Sequence, residues 1–304
     1  PSQEEEWDWK GTTSTDEYIA YLFVASVMDK FIVKTTEEQQ RVANFIDAIM
    51  THIIENNYYF VDYDGKPTRW GRWNPEYVNW YAPYVSDRKL NSAHLIAGLQ
   101  LAYSLTGKEI YKTEADKMMN EYGYLDNIMI PMETMKKTME FVHIGDVMGD
   151  SWNHSDDEMS FLTYWVLYNY AFNDKLKQKY VEVIRDHWQI ELPERDALWN
   201  MCAYGTSGDI DLESTLWDLR EFNIDLDRYS TRNSHRKDLE FLPENFRNQT
   251  TKKLLYRGER EMHRHNTNPF ALDMGGGQRS RLAGDEYLLP YWMARYYKVI
   301  QPKK

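Results

Sequence analysis

The stretch NHSDDEMSFLTYWVLYNYAFNDKLKQKYVEVIRDHWQ, residues 153–189, decides how the fold is read. After an acidic opening, Met159 to Phe172 carries no charge, whereas Asp174 to Gln189 sets apolar residues at helical spacing against a charged face. A helix that is apolar all round must be surrounded by protein, while one with a single apolar stripe faces water on its other side. The two together read as a hairpin of one buried and one half-exposed helix.

The same alternation recurs outward from this hairpin. Tyr18 to Val27, Ala93 to Leu105, Leu198 to Tyr204 and Tyr287 to Tyr297 are charge-poor; Glu37 to Asn56, Lys108 to Glu121 and Leu212 to Phe222 are amphipathic and charge-rich. Buried and half-exposed helices in turn are what an inner and an outer ring of hairpins produce. The expected fold class is therefore all-α, an (α/α) toroid. Four hairpins and one closing inner helix are visible, so either the toroid is incomplete or the chain is the C-terminal part of a longer protein. With no Pro- or Ser-rich linker, residues 1–304 are expected to form a single domain.

Three stretches break the helical period. Tyr58 to Trp73 reads as a β-hairpin turning at Asp64-Gly65. Thr138 to His154 is rich in Gly, Asp and Met, and Asp225 to Leu282 is a long polar segment closing in Gly275-Gly276-Gly277. A structureless loop that long is uncommon in a compact domain unless it is functional.

Composition narrows the function. The 304 residues carry 48 acidic against 36 basic side chains, a net charge of −12, which argues against nucleic acid or an anionic membrane as partner. Ile19 to Met28, an uncharged apolar run, is far short of the ~20 residues that span a bilayer. One cysteine, Cys202, excludes an intrachain disulfide and a thiolate metal cluster. Aromatics reach 15 %, with 11 Trp and 23 Tyr, rings that suit surfaces where an apolar face meets a hydrogen-bonding ligand such as a sugar. The chain opens at Pro1 without Met, which points to processing or excision; a removed secretion signal would fit a periplasmic or extracellular protein.

Inner helices of a ring run the same way, so their N-terminal ends gather. The groups collected there are Asp16, Glu17, Asn91, His94, Asn153, His154, Asp156, Asp157 and Glu158. Carboxyls beside histidines suit cleavage of a glycosidic bond, which needs one protonated and one ionised carboxyl. Ser14 to Glu17, Ser155 to Glu158 and Thr36 to Gln39 also fit capping boxes, and capping explains Glu17 and Glu158 more readily than catalysis. Asp156 and Asp157 are less explained by it. Trp70 and Trp73 could stack on sugar faces with Arg69 or Arg72 forking onto a carboxylate, or could simply cover the core. The Asp62-x-Asp64-Gly65 fragment lacks the later ligands of a calcium loop. His263-x-His265 lacks further zinc ligands, so neither metal nor cofactor is expected. The glycine run has no nucleotide fingerprint.

The segments GTTSTDE (11–17), DYDGKPTRWGRW (62–73), NHSDDEMSFL (153–162), NSHR (233–236), NTNPF (266–270) and YLLPYWMARYY (287–297) resemble bacterial, Bacteroidetes-type six-hairpin, (α/α)-toroid glycosidase-like proteins. The resemblance implies a secreted glycan-active protein: a glycoside hydrolase or uronate-type lyase. The alternative is a non-catalytic glycan-binding or scaffold protein. Asp157 or Glu158 is the expected first catalytic carboxyl, and Asp16 or Asp64 the second. His94, His154, Arg69, His235, Arg236 and Asn266 are expected to contact substrate, with Trp70 and Trp73 as stacking platforms on an oligo- or polysaccharide.

Overall fold

The computed structural model describes residues 11–81, 85–137, 153–223, 226–227, 229–243, 245, 247–260, 265–275 and 281–302. It is mostly helical, 61 % helix and 5 % strand. The chain forms two compact units. Unit 1 comprises residues 1–130 and 162–177, and unit 2 comprises 131–161 and 178–304.

Unit 1 is built on α3 (Val85–Thr106), in which every residue from Leu90 to Ala102 is buried. Against it pack α1 (Thr15–Val27), α2 (Thr36–Glu55), α4 (Glu109–Asn120) and the short α5 (Tyr124–Ile128). α2 shows why periodicity sorts these helices: Val42, Ala43, Ile46, Met50 and Ile53 form one buried stripe, and Glu37, Gln40, Arg41 and Asn44 are exposed. Gly98 permits the closest approach within this core, since a Cβ there would come within 2.7 Å of Met50 Sδ and would also meet the Tyr18 hydroxyl. That hydroxyl in turn donates to the His94 carbonyl at 3.2 Å.

The expected β-hairpin is present as β1 (Tyr59–Val61) and β2 (Pro67–Arg72), antiparallel, with Tyr59 opposite Arg72. Gly65 takes a left-handed φ of 76° at its turn, and Asp64 Oδ1 accepts from the Lys66 amide at 3.0 Å, an Asx contact that fixes the bend.

Unit 2 contains the start of α6 (His154–Asn169), most of α7 (Asp174–Glu191), then α8 (Ala197–Thr206), α9 (Leu212–Arg220) and α10 (Asp285–Tyr296). α8 packs on α9 and on α10. The long segment between α9 and α10 has, among the described residues, one 3-10 turn (Arg257–Glu259) and two isolated bridges, Asp227 with Arg281 and Phe241 with Thr251. Polar side chains hold it instead of a ladder: Asp273 accepts from the Asn233 and Ser234 amides, and Arg236 pairs with Asp238 and Glu259.

Helix starts depart from the sequence reading in instructive ways. α1 keeps the expected Ser14–Glu17 box, but the box of α2 is Thr35 with Glu38, one residue early. α3 begins at Val85, so Asn91 and His94 lie within the helix and not at its N-terminal end. At α6 the cap is Asn153, whose side-chain oxygen accepts from Ser155 and whose amide donates to Asp156 Oδ1 at 2.8 Å. Ser155 is thus already helical. The Gly- and Asp-rich stretch expected as irregular at 138–154 lies outside the described residues up to 152, as does His263.

Candidate functional site

The buried face of α7 runs Leu176, Tyr180, Val183, Ile184 and then turns polar at His187 and Glu191. α6 does the same at its other end, where His154 and Asp157 occupy core positions ahead of the apolar run from Met159. A core face ending in titratable groups departs from the binary pattern, and such departures concentrate at functional sites. In unit 2 these two polar ends meet.

Asp157, 2 % exposed, stands at the centre. Its Oδ1 lies 3.1 Å from His187 Nε2, and its Oδ2 lies 3.7 Å from His154 Nδ1. The turn after α7 brings Glu194, whose Oε1 is 3.1 Å from His154 Nδ1. Glu194 Oε2 accepts from Trp199 Nε1 at 3.0 Å, and the Trp199 ring stacks on Phe161 at 4.7 Å between centroids. Arg247, from the long polar segment, donates through Nη2 to both Glu191 and Glu194, and through Nη1 to the Ile190 carbonyl.

The electrostatics of the two glutamates diverge. Burial raises Glu191 well above the ordinary carboxyl range, the charges of Asp157 and Glu194 raise it further, and Arg247 only partly offsets them. Burial alone would also raise Glu194, but His154, Arg247 and the Trp199 N–H outweigh it and hold Glu194 below its ordinary value. Two sets of donor atoms lie within 4.8 Å of one another: His154, Asp157 and Glu194, and Asp157, His187 and Glu191.

A second buried layer adjoins this cluster. Asp196 Oδ1 caps α8 at the Leu198 amide, and its Oδ2 accepts from His265 Nδ1 at 2.8 Å. His265 Nε2 points at the Glu286 carbonyl, 3.0 Å away. Both ring nitrogens therefore face oxygen acceptors, as an imidazolium requires. Burial by itself would lower the pKa of His265; Asp196, Glu286 and Glu158 lift it to about 10. Asp218 accepts from Arg257 at 2.9 Å and from the Ala197 amide. Arg260, 4 % exposed, keeps Nε and Nη1 without a hydrogen bond among the described residues.

The residues singled out from the sequence are distributed as follows. Asp157 and His154 are in the cluster, and Glu158, beside them on α6, is half-buried within the electrostatic reach of His265. Asn266 follows His265 in the same segment, half-buried. His235 is exposed and Arg236 is engaged by Asp238 and Glu259. Asp16 and Asp64 belong to unit 1 and are exposed, Asp16 accepting from Ser14 Oγ at 2.8 Å. Also in unit 1, Trp73 is fully buried between Tyr18 and Phe60, whereas Trp70 is 38 % exposed with the Arg69 guanidinium 4.6 Å over its ring. His94 is fully buried in the same core, its ring nitrogens without hydrogen bonds among the described residues, and burial lowers its pKa to about 3.

His187, Glu191, Glu194 and Arg247 were not anticipated. The spacings His154-x-x-Asp157 and His187-x-x-x-Glu191 place each pair on one helix face, and that signal was available. Comparison with known protein families, curated proteins and solved structures finds no match to this chain.

Proposed function

We propose that the protein is a carbohydrate-active enzyme that cleaves a glycosidic bond, secreted or periplasmic, its helices arranged as an (α/α) toroid. The observation that carries the reading is the gathering of Asp157, Glu191 and Glu194 with His154 and His187 in one buried site in unit 2. Glycosidic cleavage needs a proton donor for the leaving oxygen and an ionised carboxyl for the sugar or its attacking water. Asp157 takes the second role, oriented by His187, and Glu158 on the adjoining position of α6 takes the first. The alternation of charge-poor and charge-rich helices supports the toroid.

Arg260 favours the uronate variant of this reading. A guanidinium cannot shed its charge, and a buried one with unsatisfied N–H groups suits a sugar carboxylate. The exposed Arg69–Trp70 pair of unit 1 favours glycan binding without turnover as the rival, since the ring offers a stacking face.

The test is product release from a panel of plant, host and microbial polysaccharides, read by reducing ends and by ultraviolet absorbance of unsaturated uronate ends. Release by the wild type that is lost in Glu158→Gln supports an enzyme, and ultraviolet absorbance selects the lyase. Retained glycan binding with no release, weakened in Trp70→Ala, replaces the enzyme with a binding protein.

A further inference from the structure

Asp157, Glu191 and Glu194 are all buried, and Arg247 pairs with two of them, Glu191 and Glu194. A carboxylate taken out of water retains a partner or neutralises. Among the described residues, His154 Nδ1, His154 Nε2 and Glu191 Oε1 have no hydrogen-bond partner. His154 is 6 % exposed and its Nδ1 is aimed between Glu194 Oε1 and Asp157 Oδ2. An imidazole lone pair directed at two carboxylate oxygens is repelled unless a proton or a cation stands between them.

We propose that His154, Asp157 and Glu194 hold one divalent transition-metal cation. The donor set, imidazole nitrogen with carboxylate oxygens and no thiolate, suits zinc, manganese or iron over calcium and magnesium, which prefer oxygen alone. Metal–ligand distances of about 2.0–2.2 Å place donors no more than about 4.4 Å apart. The atoms here lie within 4.8 Å, so a few tenths of an ångström of drawing-in completes the site.

Supporting groups are already in place. Trp199 Nε1 and Arg247 Nη2 orient the Glu194 carboxylate, and the Phe161 ring fixes His187 at 4.9 Å between centroids. Asp157 Oδ1 keeps its contact with His187 while Oδ2 turns to the cation. As a ligand Asp157 holds the ion and not a proton. On the enzyme reading above, the cation would supply Lewis-acid polarisation of a water or sugar hydroxyl, Asp157 would hold it in place of acting on the sugar directly, and Glu158 remains the proton donor. Cation binding itself does not depend on that reading.

The test uses the full chain, stripped with chelator and desalted, then titrated calorimetrically with Zn2+ and with Mn2+ in the absence of any sugar. One equivalent per chain is expected, with a higher unfolding midpoint at saturation, since a ligand bound only by the folded state stabilises it. His154→Gln and Glu194→Gln are expected to lose at least tenfold in affinity, while Glu213→Gln, an exposed carboxyl on α9, is unchanged. Should those variants fail to fold, the visible spectrum of the wild type loaded with Co2+ decides, with bands of a nitrogen–oxygen site expected. No heat and no stabilisation with either cation, equal affinity in His154→Gln, or a Co2+ spectrum of the hydrated ion would overturn the proposal. Glycan cleavage by a protein that binds neither cation would leave the enzyme reading standing and remove this one. Cation binding without cleavage would do the reverse.

Discussion

His265 illustrates how one buried side chain ties pH to stability. Its folded pKa is raised to about 10, above its ordinary value of 6.5, by Asp196, Glu286 and Glu158 against the opposing effect of burial. A raised basic group contributes its full stabilisation below the unfolded pKa and loses it as pH rises through the folded one. Denaturant unfolding should therefore show wild-type stability falling between about pH 6.5 and 10. His265→Gln should lose that slope; an equal slope in the variant would assign it to other groups. Arg247 makes a second residue-level prediction. Arg247→Met leaves Glu191 and Glu194 buried without their guanidinium, and breaking a buried pair on one side costs about 3–5 kcal/mol. The expected readout is a shift of that size in chelator-treated protein, and a loss under about 1 kcal/mol would mean the carboxyls are neutral without it.

At the scale of elements, the sequence was legible where the period was clean. Helices α2, α4, α7 and α9 fall within a few residues of the stretches read from their apolar stripes, and the hairpin at 59–72 follows from its Asp64-Gly65 turn. It was less legible at helix starts, because several Ser, Thr and Asn residues compete for each cap and only geometry selects one. Asn153 won at α6, and Asp157, four residues on, is buried. Asn153→Ala should cost about 0.5–2 kcal/mol by thermal or denaturant unfolding, and Ser155→Ala less; the opposite order would restore Ser155 as the cap. His187 and Glu191 escaped notice for a related reason. On an amphipathic helix, polar residues are assigned by default to the wet face, and nothing in the residue type says that these two continue the core stripe. Gly98 is the complementary case in unit 1: Gly98→Ala should drive Tyr18 and Met50 from their places and destabilise by about 1–3 kcal/mol, whereas an unchanged midpoint would mean α1 and α2 can withdraw freely.

At the scale of the whole molecule, the chain divides into one unit organised on the buried α3 and another organised around charge. No described helix is long and apolar enough to cross a membrane. Apolar patterning predicts the first kind of core well, because burial of apolar area is additive and non-directional. The second kind depends on which ionisable groups meet, and that is set by tertiary contact between α6, α7 and the segment carrying Arg247. The central claim is that the Asp157 cluster is a working site and not a structural ion-pair network. The two differ in what removing one charge does to the whole fold. Functional sites are commonly held at a cost to stability, whereas a structural network loses stability with any member. The most direct measurement is denaturant unfolding of chelator-treated Asp157→Asn beside the wild type. Asn can still accept from His187 and relieves the repulsion with Glu191. We expect the variant to be as stable as the wild type or more so, and a loss of about 3 kcal/mol or more would contradict the account.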